Sequence, residues 1–282
     1  MDSSAVVRKS MSSGRNRKDH YIPRSFLRGF IHPARWSLQQ PLWYLDVPNN
    51  TWSERSPGEV GYRYGFYDYA TAEIGLETAD EAFADLEGRY PRIRRSMVEN
   101  NFGNWREHLD FLLRYAQMMR ARSLLFFERQ RAEWSKARAW IVQDVLPDGK
   151  SIKVKSMTPE PLPHAFVRNR TIVEMRDEIK KGATWLTGFN WCLRYCDSPS
   201  VPFVISEIPF VCRGGSADLA EALQDPETLL FFPLCWQACL IGSRQFFDKD
   251  TDRFGDEDMR TTQKMYRESS SLFLLSPTKL DL

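Results

Sequence analysis

No apolar run in this chain reaches the roughly 18 residues that a helix needs to cross a bilayer, and no secretory leader pattern opens it. The expectation is a cytoplasmic protein with no membrane partner. A surplus of one charge sign is also missing: Lys and Arg number 39 against 37 Asp and Glu, a formal net charge of +2. That excludes a general nucleic-acid coat, so any nucleic-acid role must come from a local basic patch. Histidine is scarce, at four residues. The five cysteines are Cys192, Cys196, Cys212, Cys235 and Cys239. Their odd number and the missing leader predict reduced, buried thiols. Cys192/Cys196 and Cys235/Cys239 are spaced more widely than a zinc knuckle. The sequence has no nucleophile elbow, phosphate-binding glycine loop, dinucleotide fingerprint or His-Glu-x-x-His pair.

What is present is a globular composition, 42% hydrophobic and 13% aromatic in 282 residues, enough for a sizeable core. Residues 1–17 are rich in Ser, Arg, Lys and Gly and read as a flexible basic N-terminal arm. Residues 18–282 read as one α+β domain, mainly helical, with a small N-terminal hairpin and a C-terminal antiparallel sheet. Pro23 is placed to open a short helix with Phe26, Leu27 and Phe30 on one face. Residues 42–55 predict a β-hairpin, and the Gly- and Tyr-rich 60–69 a loop. Residues 73–100 predict a helix that Pro91 kinks or divides, and 105–146, free of Gly and Pro, one long helix. A further helix is expected at 168–182. Short apolar runs at 185–193, 203–206, 229–232, 239–242 and 271–275 predict strands, and the charged stretch 256–269 a last helix.

Residues 20–30 carry the pattern His-x-x-Pro-x-x-Phe-Leu-x-x-Phe. Further landmarks follow in order: Leu42-Trp43-Tyr44-Leu45-Asp46, Ser56-Pro57, Phe66-Tyr67, Glu77 and Glu87, Gln117-Met118-Met119-Arg120, Trp191, the 202–209 segment with Ser206-Glu207, and Phe232-Pro233-Leu234. This series resembles the bacterial domain-of-unknown-function family 4238 over about residues 18–277. The family's usual Asp after the serine is Glu207 here, whose carboxylate reaches one methylene further. The resemblance brings no reaction, cofactor or ligand with it.

The residues able to carry chemistry are polar groups set in apolar segments. His20, with an ordinary pKa near 6.5, suits acid–base work or metal ligation; its structural alternative is packing at a helix start. Glu77 and Glu87, on one predicted helix, fall about 80° and about 15 Å apart, too far to share one metal if the helix is straight. One is placed to meet His20 and the other an arginine, or both are solvated. Gln117 and Arg120 share a helical face; Arg120 could pair with Glu77 or Glu87, or clamp a phosphate in bidentate fashion. Arg114 and Arg122 read as exposed neighbours. Ser206 and Glu207 end an apolar strand, as ligand contact and base or metal ligand, or as turn chemistry.

The reading favoured is a hydrolase of phosphodiesters or nucleotides, with a nuclease as one form. His20, Ser206 and Glu207 are its catalytic groups, Arg120 and Gln117 contact substrate, and Glu77 or Glu87 takes a catalytic or metal-binding role. A divalent metal is the cofactor such a constellation admits, and a nucleotide or nucleic acid its ligand. The alternative is a non-catalytic ligand-binding or sensor protein in which the polar cluster is structural. Convergence of His20, Arg120, Ser206 and a glutamate in one pocket is the structural expectation.

Overall fold

The computed structural model describes residues 17–32, 34, 41–69, 79–139, 142–145, 152–154, 160–181, 183–208, 210–213 and 224–281. The N-terminal part runs β1 (Lys18–His20), α1 (Arg24–Leu27), β2 (Leu42–Asp46), β3 (Thr51–Arg55) and β4 (Tyr62–Tyr64). The helical part follows: α2 (Ala79–Glu99), α3 (Leu109–Ala121) and α4 (Leu124–Lys136). Two small ribbons come next, from β5 (Arg138–Ala139) paired with β8 (Glu160–Pro161) and β6 (Val142–Val145) paired with β7 (Ile152–Val154). The chain then forms α5 (His164–Lys180), β9 (Asn190–Tyr195), β10 (Ile205–Ser206), β11 (Val211–Arg213), β12 (Leu229–Cys235), β13 (Ala238–Ser243), β14 (Thr251–Arg253), α6 (Asp256–Ser269) and β15 (Phe273–Ser276). The fold is α+β, as its sequence pattern predicts.

The His-x-x-Pro-x-x-Phe-Leu-x-x-Phe segment at 20–30 is the junction of this architecture. Pro23 stands at the N-cap of α1, with ψ at 135°, so it precedes the helix. Phe26, Leu27 and Phe30 are fully buried. The Phe26 ring lies 5.4 Å from Phe30 and from Tyr90, 5.8 Å from Tyr115 and 6.0 Å from Phe232. One side chain thereby joins α1, α2, α3 and β12 into a single core.

Two helices differ from expectation. Pro91 lies inside α2, which continues unbroken to Glu99. Phe83, Leu86, Tyr90 and Met97 form a buried stripe on both sides of it, and the Tyr90 hydroxyl donates to the Leu234 carbonyl. Burial of those four side chains outweighs the roughly 3 kcal/mol that an interior proline costs. The long helix predicted over 105–146 is instead a 3-10 turn at Trp105–His108, then α3, a break at residues 122–123, then α4 and strands. Ser123 makes the break: its hydroxyl accepts the Phe126 N–H at 3.2 Å as a new N-cap and donates to the Arg120 carbonyl at 2.7 Å.

The hairpin β2–β3 forms as predicted but is not freestanding. It belongs to a four-stranded sheet ordered β10-β15-β2-β3, in which the C-terminal β15 lies antiparallel to β2. A second sheet, β11-β12-β13-β9-β14, is antiparallel except for β14 beside β9. Its second strand β12, paired on both sides, tolerates Pro233 through a register irregularity between Pro233 and Cys235. The predicted loop at 60–69 contains β4, which pairs with β1 as a two-stranded ribbon. Gly61, at φ +64°, turns the chain into β4 with its missing Cβ against Ile22. The cysteines are free, and burial raises the pKa of each thiol, to about 11 for Cys192 and Cys212 and about 12 for Cys196. No helix among the described residues is long and apolar enough to cross a membrane.

Candidate functional site

His20 ends β1, directly opposite Tyr62 of β4. Side chains alternate along a strand, so Lys18, His20, Tyr62 and Tyr64 share one face of the ribbon. Asp19 and Arg63 share the other, where Asp19 is buried and accepts the Tyr67 N–H at 3.1 Å. The first face opens on a cavity of about 760 Å³ lined by Lys18, His20, Arg24, Glu54, Arg55 and Glu59, among others. The His20 and Tyr62 rings lie 5.6 Å apart, and the Lys18 ammonium sits 4.4 Å from the Tyr62 ring centre. Glu59 is turned away from ligand duty, its carboxylate accepting the Ser56 N–H at 2.7 Å. Nε2 of His20 is shielded from solvent and has no hydrogen-bond partner among the described residues. Burial lowers the His20 pKa, and the positive charges of Arg24, Arg122 and Lys18 push the same way; the Gly58 backbone works against them. The ring is therefore neutral at neutral pH.

Behind His20 lies a buried cation. Arg122, read from sequence as exposed, is 2% exposed. It stands in the break between α3 and α4, and the break turns it inward. Its guanidinium donates to the Glu87 carboxylate, to the Tyr67 hydroxyl at 2.9 Å and to the His20 carbonyl. It also lies over the Phe83 ring at 4.5 Å. Burial opposes its charge, but Tyr67 and Glu87 outweigh that and raise its pKa above the ordinary value. Glu87 thus reaches His20 only through Arg122, and only at the backbone.

Gln117 and Arg120 share their face of α3, as predicted, but they meet α5 rather than His20. The Glu178 carboxylate accepts from Arg120 and from the Gln117 amide at 3.0 Å. The Gln117 carbonyl oxygen accepts from Arg120 Nε at 3.4 Å and from the Trp185 indole N–H. The Arg120 guanidinium stacks over Trp185 and Phe126. Every polar end of this cluster has a protein partner, which suits a clamp between α3 and α5.

Ser206 and Glu207 form a third location. Ser206 is fully buried and its hydroxyl is occupied locally, donating to the Ile208 carbonyl at 3.2 Å. The Glu207 carboxylate accepts the N–H groups of Ser271, Leu272 and Phe273 at 2.6, 2.9 and 3.2 Å, and the hydroxyls of Ser270 and Ser271 at 2.7 and 3.1 Å. It closes the turn between α6 and β15.

The expected convergence is therefore partial. His20 and Glu87 are linked through Arg122; Gln117 with Arg120, and Ser206 with Glu207, occupy separate, internally satisfied networks. The cavity at His20 has neither Arg120 nor Ser206 in its wall. Glu77 and the basic segment 1–16 lie outside the described residues. Among those described, no three His, Cys, Asp or Glu side chains converge as a metal-binding set. Residues missed from sequence are Lys18, Arg24 and Arg55, Tyr62 and Tyr64, and the partners Arg122 and Glu178. The period-two pairs Lys18/His20 and Tyr62/Tyr64 were the available signal. Comparison with curated proteins and with solved structures finds no match. A family model matches residues 18–268, nearly the whole chain, and the protein belongs to the family described as protein of unknown function DUF4238.

Proposed function

We propose that this protein is a hydrolase of phosphate esters, a phosphodiesterase or nucleotide hydrolase, working in the cavity at His20. The observation that supports it is the buried, unpartnered Nε2 of a neutral His20 in a wall shared with Lys18, Arg24 and Arg55. A buried ring nitrogen left without a partner costs about 1–3 kcal/mol, so the fold keeps this group at some expense. The three cations supply the charge that a phosphate needs on binding and in its transition state. Neutral His20, with its ring turned to bring Nε2 into the cavity, takes a proton from the attacking water as the water oxygen bonds phosphorus. The ester P–O bond breaks, and the protonated ring returns the proton to the departing oxygen. Arg122 is a positioning residue in this scheme, holding the His20 carbonyl and hence the strand end.

A second reading, a ligand-binding or sensor protein, is favoured by a specific observation. Glu87 and Glu207, the described carboxylates first assigned to catalysis or metal binding, are occupied by Arg122 and by the turn at Ser270–Phe273. The full chain, with and without divalent ions, is to be offered nucleoside triphosphates and a chromogenic phosphodiester. Expected is turnover that falls about 100- to 10,000-fold in His20→Ala while melting temperature holds. Binding without turnover establishes the second reading, and no binding of any phosphate ester overturns both.

A further inference from the structure

The β1–β4 ribbon carries more aromatic surface than a phosphate site requires. Tyr64 is 58% exposed, one of few large hydrophobic side chains so open among the described residues. It stands directly across from Lys18, as Tyr62 stands across from His20. The Tyr62 and Tyr64 rings lie 5.6 Å apart and edge-on at 85°, and Tyr62 continues to His20 at 5.6 Å. The result is a run of rings, Tyr64, Tyr62 and His20, on one face of the ribbon that ends at the cavity holding Lys18, Arg24 and Arg55. Packing gives no reason for Tyr64, since an exposed ring on a two-stranded ribbon contributes little to a core. The opposite face of the ribbon does contribute, through buried Asp19.

We propose that the ligand of this site is single-stranded nucleic acid, its bases stacked on Tyr64 and Tyr62 and its backbone phosphates directed to Lys18, Arg24 and Arg55. The proposal rests on the reading of the His20 cavity as a phosphate site and adds the substrate class. An aromatic platform bordered by cations matches what a single strand presents: unpaired π-faces at intervals along a polyanion. A duplex hides those faces, and a ribbon of three-residue strands does not fill a groove as a helix does. A free nucleotide satisfies the cavity but leaves Tyr64 without a base, because the platform extends outward from His20.

The test is fluorescence anisotropy with the full chain and labelled strands of about ten nucleotides, in ribose and deoxyribose forms, beside a duplex and an abasic strand of equal length. The single strand is expected to bind more tightly than either the duplex or the abasic strand. Tyr64→Ala, at an exposed position, is expected to weaken single-strand binding about 5- to 100-fold, and Tyr64→Phe to restore it. Equal binding of abasic and base-bearing strands, or full binding by Tyr64→Ala, overturns the stacking proposal and leaves the phosphate site standing. The reverse pattern, Tyr64-dependent binding that Arg24→Gln and Arg55→Gln leave unchanged, keeps the platform and removes the phosphate site. A preference for duplex overturns the substrate class.

Discussion

The His20 cavity and the Gln117–Arg120 clamp use similar side chains in opposite ways. Around Arg120 the Gln117 amide, the Glu178 carboxylate and the Trp185 indole N–H hydrogen-bond with one another and with the guanidinium. Around His20 a ring nitrogen is left unpartnered and cations of like charge gather at an open face. A closed network is what folding alone selects, because unsatisfied buried polar groups destabilise. A buried Nε2 left open beside Lys18 and Arg24 does nothing for the fold, and burial first, then those charges, lower the His20 pKa. The comparison teaches that polar residues in apolar segments divide by how completely the protein answers them.

The sharpest way to test that division is to break the closed side where it is deepest. Arg122 and Glu87 form a pair whose side chains are 3% and 32% exposed. Arg122→Ala removes the donor to Glu87 and to the Tyr67 hydroxyl, and leaves the His20 carbonyl with the Tyr67 hydroxyl at 3.3 Å. A loss of about 3–5 kcal/mol is expected, read as a shift of the denaturation midpoint without a change in slope. A loss below about 1 kcal/mol, the level of a surface pair, would show that the buried network is not structural.

The Arg120–Glu178 pair is more open, at 24% and 17% side-chain exposure, so solvent screening reduces the effect. Arg120→Ala is expected to destabilise by roughly 2–3 kcal/mol. A double-mutant cycle with Glu178→Ala is expected to show coupling on the order of 1 kcal/mol or more. Additive losses would separate Arg120 from Glu178 and reopen its reading as a phosphate clamp. Glu207→Gln tests the turn at Ser270–Phe273. An amide keeps one acceptor oxygen and turns a donor toward N–H groups, so a loss of about 1–3 kcal/mol is expected, with phosphate binding unchanged. A stable variant with weakened phosphate binding would move Glu207 back to the ligand site.

These outcomes also mark what was legible in the sequence. Period and breakers recovered the charged helix at 256–269 to the residue, the hairpin, and the buried face of Phe26, Leu27 and Phe30. They failed at residues 122–123, because a serine cap ends a helix as well as glycine or proline does, and a lone Ser within a helix-forming stretch gives no period change. That miss hid Arg122, whose burial follows from the break. The partners of a polar residue are long-range facts. Glu178 lies 58 positions from Arg120, and local spacing says nothing of it. His20 stood out by residue type alone. Its pocket needed β1 paired with β4 in register, and β4 fell within a segment rich enough in Gly and Tyr to read as loop.

The smallest expected effect concerns the open side. His20→Asn removes the imidazole without adding bulk, and at neutral pH its stability is expected within about 1 kcal/mol of the wild type. The difference lies in the acid limb. The folded-state pKa of His20 is lowered from the ordinary 6.5, chiefly by burial and then by Arg24, Arg122 and Lys18. The unfolded chain therefore takes up its proton first as pH falls. Stability attached to the neutral ring is fully present above 6.5 and declines as pH falls from 6.5 through the lower folded value. Below that value both states are protonated and the loss levels off. Lys18, Arg24, Glu54 and Glu59 face His20 in the same cavity wall. Denaturant midpoints measured from pH 7.5 to 5 should then fall less steeply for His20→Asn than for the wild type. A phosphate ester bound among the cations stabilises the protonated ring, so saturating ligand should flatten the wild-type slope and leave the variant's unchanged. Parallel curves, with and without ligand, would place His20 among the packed residues and leave the cavity without its base.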